Sequence, residues 1–196
     1  MNFTEYVEKT KKEARLKNIQ QVRDEIDQPW VQDKIQSYIT TVDGIVSEEE
    51  VREGILTNTI IASKFCKDPG RQNLSENLAA EVLGISKLPS RGKNCIRFND
   101  DGDIVSVKGT NTKSADFIYG EYYATQKYTS EAGGAQDNQR NDVIDFLKRG
   151  SIKHKVAAIV DGAYWDCQRE ILKEEFKNNP NVLITSVTEI TENTWL

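Results

Sequence analysis

The run Val156-Ala-Ala-Ile-Val160 limits the fold of this chain more than any other stretch. Its five successive apolar residues lack the alternation of a half-exposed strand, so they predict a strand that is buried on both faces. Helical patterns over residues 138–148 and 166–177 precede and follow this strand. We therefore predict an α/β (α+β) fold in which a mixed central sheet is flanked by helices.

The spacing of the apolar residues changes after Leu88-Pro89. Before this point it predicts helices over residues 4–27, 29–39, 47–65 and 73–83, and the third of these begins with the capping box Ser47-Glu-Glu-Glu50. After it we predict strands over residues 94–98, 104–108, 115–119, 121–129, 156–160 and 182–185, and a tail over residues 188–196. A length of 196 residues suits a single domain. We divide it into a helical N-terminal subregion (1–70) and a core (71–196).

Composition excludes several classes of protein. No apolar segment is long enough to cross a bilayer, and the first residues lack the pattern of a signal peptide, so we expect a cytoplasmic protein without a membrane partner. Cys66, Cys95 and Cys167 are widely spaced, which favours free thiols over a zinc site. His154 is the only histidine. The net charge of −5 argues against indiscriminate binding to nucleic acid, but it allows positive side chains gathered in one cleft.

Residues 113–129 carry the pattern most typical of catalysis. Two predicted strands meet at a tight turn; Asp116 lies on the first and Lys127 lies near the middle of the second. A carboxylate can hold a hard cation through oxygen, while an ammonium group beside it can contact an attacking water and a phosphate. This arrangement is the one that metal-dependent phosphodiesterases use.

The order of elements, together with four short segments, resembles the common core of the PD-(D/E)XK nucleases, and more narrowly a type II restriction endonuclease. The segments are Lys113-Ser-Ala-Asp116, Ala124-Thr-Gln-Lys127-Tyr-Thr129, Gly133-Gly-Ala-Gln-Asp-Asn-Gln139 and Ala158-Ile-Val-Asp161-Gly162. The resemblance covers about residues 70–165, which is roughly half of the chain. It implies a restriction-endonuclease-like core over residues 71–196 and Mg²⁺ as the cofactor.

The resemblance also assigns roles to individual residues. Asp116 matches the metal-binding aspartate of the family, and Lys127 matches the lysine that ends its motif. The family has an acidic residue two positions before the lysine, and this chain has Thr125 there. Thr125 and Lys127 share one strand face, but a hydroxyl is a weaker ligand for Mg²⁺ than a carboxylate.

Three residues are candidates for the missing oxygen ligand. Glu121 lies at the turn, and Gln126 could use its carbonyl oxygen if a bulge breaks the strand alternation. Glu76 occupies the place of a glutamate that this superfamily carries on the preceding helix. The predicted catalytic set is therefore Asp116, Lys127, Gln126, Thr125 and Glu76, and the predicted metal ligands are Asp116, Glu121 and Gln126.

Structural explanations compete with these roles. Asp116 can end a strand, and Lys127 can protect a sheet edge from aggregation. Glu76 belongs to a predicted capping box, Asn73-Leu-Ser-Glu76, which explains it without a metal.

Residues 130–140 are predicted to form a loop that contacts DNA. Amide side chains can pair with adenine and arginine with guanine in the major groove, and this segment ends with Gln136, Asp137, Asn138, Gln139 and Arg140. Asp137 or Asn138 could instead cap a helix, which would explain one residue of this set without DNA. We expect Lys93 and Lys113 to contact phosphates.

These features predict a Mg²⁺-dependent type II site-specific deoxyribonuclease that cleaves double-stranded DNA as a homodimer, since two symmetric sites can cut both strands of a palindrome. One alternative is a repair or RNA nuclease on the same core. Another is a catalytically silent, sequence-specific DNA-binding protein, because Thr125 replaces an acid.

Overall fold

The computed structural model describes residues 2–69, 73–106, 109, 112–130 and 136–192. The chain divides into two compact units. The first, called the helical unit, consists of Val7–Leu74, and the second, called the sheet unit, consists of Met1–Tyr6 with Ser75–Leu196. The first residues of the chain thus belong to the second unit.

The helical unit is built from four α-helices: most of α1 (Phe3–Asp24), α2 (Pro29–Thr41), α3 (Glu48–Thr57) and α4 (Thr59–Phe65). Apolar residues spaced three or four apart put one face of each helix into a common core. Its buried members are Ile19, Val22, Val31, Ile35, Val51, Ile55, Ala62 and Phe65.

The single helix predicted over residues 47–65 is wrong, because Asn58 divides it into α3 and α4. Asn58 is extended, with φ −119° and ψ 116°, and its side chain accepts hydrogen bonds from the backbone N–H groups of Ile60 and Ile61. Such local bonding competes with a continuous helix. The capping box at the start of α3 is confirmed, since Ser47 and Glu50 bond reciprocally.

The sheet unit contains α5 (Leu74–Leu83), β1 (Arg97–Phe98), β2 (Ile104–Val105), β3 (Lys113–Ser114), β4 (Phe117–Tyr119), β5 (Tyr122–Tyr128), α6 (Gln136–Gly150), β6 (Val156–Asp161), α7 (Ala163–Glu175), β7 (Val182–Thr185) and α8 (Val187–Thr191). The larger sheet has the strand order β4-β5-β6-β7. Its β4–β5 pair is antiparallel and its other two pairs are parallel. The predicted mixed sheet is therefore confirmed.

The apolar run over residues 156–160 forms an interior strand, as predicted. Every residue of β6 is buried, and the strand pairs with β5 on one side and β7 on the other. Val156, Ala158 and Val160 pack in one core with residues of α6 and α7, among them Leu147 and Trp165. The flanking helices cover the sheet as the pattern required.

Two other regions differ from the expectation. β1, β2 and β3 form a small separate sheet of two-residue strands in the order β2-β1-β3, and Asn99 turns the chain between β1 and β2 by accepting hydrogen bonds from the backbone of Asp101 and Asp103. Residues 107–108, the end of the strand predicted over 104–108, lie outside the described ranges. The predicted tail begins instead with α8, which Ser186 and Glu189 start with a capping box. No helix within the described ranges is long and apolar enough to cross a membrane.

Candidate active site

The site predicted around Asp116 lies where β4 joins the larger sheet. The register places Phe117 opposite Ala124, so Asp116 stands just before the ladder, level with Thr125. The Asp116 backbone N–H donates to the Ala124 carbonyl over 2.8 Å, and the Asp116 carbonyl accepts from the Leu88 N–H over 2.7 Å. The backbone of Asp116 is thus held from both sides.

Three successive residues of β5 contact one oxygen of the Asp116 carboxylate. Oδ2 accepts from the Thr125 hydroxyl over 2.9 Å and from the Gln126 backbone N–H over 2.9 Å. The Lys127 Nζ lies 3.8 Å from the same oxygen. The side chains of Asp116 and Lys127 are 18% and 30% exposed, so both can reach a ligand in solvent. The structure therefore brings Asp116, Thr125 and Lys127 together on one face.

The other carboxylate oxygen of Asp116 is available. The hydrogen bonds of this side chain with described residues are made by Oδ2, and Oδ1 accepts no hydrogen bond within those ranges. An ionised carboxylate accepts through both oxygens. Oδ1 can therefore bind a cation while Oδ2 keeps its bonds to β5.

Thr125 supports Asp116 in place of a second negative charge. It is 4% exposed, and alternation along β5 directs it to the same face as Lys127. Its hydroxyl donates to Asp116, so the position that holds an acid in the resembled family holds a hydrogen-bond donor here. The local negative charge is correspondingly smaller.

The side chain of Gln126 does not join Asp116. β5 pairs with β6 residue for residue from Tyr123 to Tyr128, so no bulge breaks its alternation. Gln126 is 1% exposed and points to the opposite face, where its Oε1 lies 3.4 Å from the Ser75 hydroxyl of α5. Its Nε2 has no hydrogen-bond partner among the described residues. Gln126 reaches Asp116 only through its backbone.

Glu121 and Glu76 are each paired with a lysine instead. Glu121 lies 2.6 Å from Lys155 Nζ, and four residues of strand, roughly 13 Å, separate it from Thr125. The hydrogen bond between Lys155 and Glu121 raises the pKa of Lys155. Glu76 lies 2.8 Å from Lys87 Nζ. No contact joins either glutamate to Asp116, so the structure does not assemble the predicted ligand set.

The oxygen atoms around Asp116 suit a cation that would bind together with a phosphate-containing substrate. No group of three or more His, Cys, Asp or Glu side chains within the described ranges could hold a metal ion. Mg²⁺ is often held by one or two carboxylates and completes its shell with waters and substrate phosphate oxygens. Asp116 Oδ1 meets that minimal requirement, with Lys127 beside it to contact a phosphate.

The predicted DNA-reading residues lie in a helix, which begins two residues before the start predicted at 138 and replaces the end of the loop predicted over residues 130–140. α6 begins at Gln136, so Gln136–Arg140 forms its first turn. Asp137 and Asn138 are exposed there. Residues 131–135, the middle of the predicted loop, lie outside the described ranges.

Gln139 and Arg140 have partners within the fold. Gln139 Oε1 accepts from the Thr129 hydroxyl over 2.9 Å, and the same hydroxyl accepts from Trp165 Nε1 over 3.2 Å. Arg140 Nη2 lies 3.7 Å from Glu175. Gln139 therefore helps to fix the end of β5, a role that its position in the sequence did not reveal.

The two predicted phosphate contacts differ in their surroundings. Lys93 is exposed. Lys113 Nζ lies 2.5 Å from Asp142 and 3.5 Å from Asp145, both on α6. A phosphate would have to displace these carboxylates to reach Lys113.

Asp161 is a buried acid whose setting the sequence did not reveal. It ends β6, is 3% exposed, and accepts the Val187 N–H with both oxygens, at 3.1 and 3.2 Å. Burial raises its pKa to about 7, although the hydrogen bond from Val187 and the charge of Arg169 oppose the shift. An acid directly after an all-apolar strand was the available signal.

No family model matches the sequence, and neither a curated protein nor a solved structure matches it. The resemblance to the PD-(D/E)XK nucleases rests on the residues quoted above and on the order of the elements.

Proposed function

We propose that this chain is a Mg²⁺-dependent type II restriction endonuclease on a PD-(D/E)XK core, which cleaves double-stranded DNA at specific sites as a cytoplasmic homodimer. The observation that carries the proposal is the pairing of Asp116 with Lys127 across 3.8 Å, with the second carboxylate oxygen of Asp116 open. A carboxylate oxygen for the cation and an ammonium group beside it are the two groups on which the proposed chemistry depends.

Each residue at the site has a distinct task. Asp116 Oδ1 would hold the cation, which when bound polarises a phosphate oxygen and acidifies a water. Thr125 and the Gln126 N–H fix the orientation of the Asp116 carboxylate. Lys127 would orient the attacking water and stabilise the negative charge that develops on the phosphate.

Base contacts would come from the first turn of α6. Asn138 and Asp137 are exposed and their side chains make no hydrogen bond or ion pair with another described residue, whereas Gln139 and Arg140 already have partners. Amide side chains can pair with adenine and carboxylates can accept from cytosine. We assign direct readout to the exposed pair, with Gln136 beside it and Lys93 on the phosphates.

The low negative charge around Asp116 favours one alternative, a catalytically silent, sequence-specific DNA-binding protein. Thr125 adds no charge, and Lys127 already neutralises Asp116 in part. A protein that binds DNA without cutting it needs no metal ligand at this position.

Incubation of the full chain with supercoiled plasmid DNA, with Mg²⁺ or with a chelator, tests the proposal. We expect discrete fragments that disappear with the chelator. Asp116→Asn and Lys127→Ala should each lower the cleavage rate by at least about a hundredfold, while Asp33→Asn, an exposed acid on α2, should cleave as the wild type does. A smear would indicate a general nuclease, and intact plasmid with a gel shift would indicate the silent binding protein.

A further inference from the structure

A cleft of about 590 Å³ in the helical unit lies among basic side chains. We call it the basic cleft, and its lining residues are Arg15, Lys34, Ser63, Lys64, Cys66, Lys67 and Asp68. Its volume falls within the range of about 300–1,000 Å³ that is usual for small-ligand sites. Its lining, however, is polar and charged, so an uncharged apolar ligand would fit it poorly.

The charges in the basic cleft are unbalanced. Four cationic side chains face one carboxylate, an excess of three positive charges, in a chain whose net charge is −5. The single carboxylate, Asp68, lies 3.7 Å from Arg15, and both side chains are about half exposed. Such an exposed ion pair contributes little to the stability of the fold. Among the described residues, the lining of the basic cleft thus carries an excess of positive charge that an anionic ligand would neutralise.

Two of the ammonium groups lie beside the same indole ring. Lys34 Nζ is 5.2 Å and Lys67 Nζ is 5.7 Å from the centre of the Trp30 ring. Lys34 also donates to the Phe65 carbonyl over 2.5 Å, and the Asn18 side chain holds the Lys67 carbonyl at 2.8 Å. Both ammonium groups therefore lie beside one ring before any ligand binds.

The electrostatics of Lys34 agree with this arrangement. Burial lowers the pKa of Lys34, the neighbouring charge of Lys67 lowers it further, and Cys66 opposes the shift. An anion between the two ammonium groups would relieve their repulsion. Burial raises the pKa of the Cys66 thiol, which makes it a poor nucleophile and indicates binding rather than catalysis.

We propose that the basic cleft binds the dianionic phosphate group of a small molecule, such as inorganic phosphate or a phosphomonoester. A phosphomonoester carries about −1.5 to −2 charges at pH 7, which matches an excess of three cations better than the single charge of a DNA phosphodiester does. Ammonium and guanidinium groups supply donors suited to phosphate oxygens. This site is independent of Asp116 and of the proposed cleavage.

Titration of the full chain with sodium phosphate tests the proposal, with sodium chloride at equal ionic strength as the reference and backbone and indole NMR signals as the readout. We expect saturable shifts at Trp30 and over residues 63–68. Lys34→Gln or Lys67→Gln should weaken binding roughly ten- to a hundredfold. Lys12→Gln, an exposed lysine of α1 outside the cleft, should leave it unchanged.

Further variants keep the test decisive if Lys34→Gln fails to fold. Lys64→Gln removes an exposed charge that makes no contact with Trp30, and it should also weaken phosphate binding. The proposal is overturned if phosphate shifts are linear and equal to those of chloride, or if Lys12→Gln weakens binding as much as Lys34→Gln. It is overturned equally if the cleft variants impair only duplex DNA binding and inorganic phosphate does not bind.

Discussion

The hydroxyl of Thr125 donates a hydrogen bond to Oδ2 of Asp116 over 2.9 Å. In this arrangement the threonine orients the carboxylate and adds no charge of its own. A carboxylate at the same position would place two negative charges face to face, and such a pair is stable only when a cation or a proton lies between them. We therefore expect the identity of residue 125 to set how strongly the stability of this site responds to divalent cations.

We expect Thr125→Glu to lower the free energy of unfolding by about 3 kcal/mol or more without divalent cations, because position 125 is 4% exposed and the new carboxylate would have to share Lys127 with Asp116. Mg²⁺ should restore much of this loss, since a ligand at a hundredfold excess over its Kd stabilises a protein by about 2.7 kcal/mol. Thermal unfolding with and without Mg²⁺ measures the gain.

Thr125→Gln is the matched control, because it has the same length and no charge. Its melting temperature should respond to Mg²⁺ no more than that of the wild type does. An equal response of the two variants would mean that this face of β5 does not hold a cation.

The buried acid Asp161 makes stability depend on pH. Its carboxyl group has a pKa of about 7 in the folded chain and 3.8 as its ordinary value, so between these values the folded state binds the proton and the unfolded state does not. The free energy of unfolding contributed by this group therefore falls as the pH rises from about 4 to 7 and is constant above that.

Asp161→Asn should remove this dependence, because an amide does not titrate and its oxygen can still accept from the Val187 N–H. Relative to the wild type, the variant should gain stability as the pH rises to 7, by roughly 4 kcal/mol at most. Urea unfolding at pH 5, 6, 7 and 8 measures the trend. Asp101→Asn, an exposed acid, should follow the wild type, and a parallel curve for Asp161→Asn would contradict the assignment.

Gly162 is required where β6 turns into α7. Its φ is +100°, and a Cβ there would press against the Thr129 carbonyl oxygen and lie 2.8 Å from the carbonyl carbon. We expect Gly162→Ala to cost roughly 3 kcal/mol or more of unfolding free energy, because both the backbone angle and the contact are unfavourable. Gly120→Ala keeps the positive φ (+56°) but meets no atom within 4 Å, so it should cost only about 1 kcal/mol. Equal losses in chemical denaturation would show that the contact with Thr129 is unimportant.

The meeting of Asp116 and Lys127 could be predicted because it depends on local rules. The tight turn at Gly120 sets the register of β4 and β5, and strand alternation puts Lys127 on the face of Thr125. The interior position of β6 followed in the same way from an unbroken apolar run.

The places of Glu121 and Glu76 could not be predicted, because each is fixed by an ion pair with a lysine outside its own element. Glu121 pairs with Lys155, 34 residues away, and Glu76 pairs with Lys87. The break between α3 and α4 at Asn58 could not be predicted for a different reason. Its side chain bonds to the next turn of the chain, which a pattern of apolar spacing does not register.

Asn138 and Gln139 are neighbours at the start of α6 with opposite surroundings, so variants of these two residues can distinguish the proposed DNA readout from structural support. Asn138 is exposed, whereas Gln139 accepts the Thr129 hydroxyl. If Asn138 pairs with a base, Asn138→Ala should lose about 1–3 kcal/mol of discrimination between the cognate site and random duplex, with no change in melting temperature.

Gln139→Ala should show the reverse. Thr129 would lose its acceptor beside Trp165, so we expect a loss of about 1 kcal/mol in unfolding free energy and an equal change in affinity for both duplexes. Binding titrations at two salt concentrations, together with chemical denaturation, distinguish the two outcomes. Lys93→Gln serves as the reference for a phosphate contact, since it should weaken both duplexes equally and flatten the salt dependence. If Asn138→Ala behaves like Lys93→Gln, the first turn of α6 positions the protein on DNA, and the bases are read by another surface.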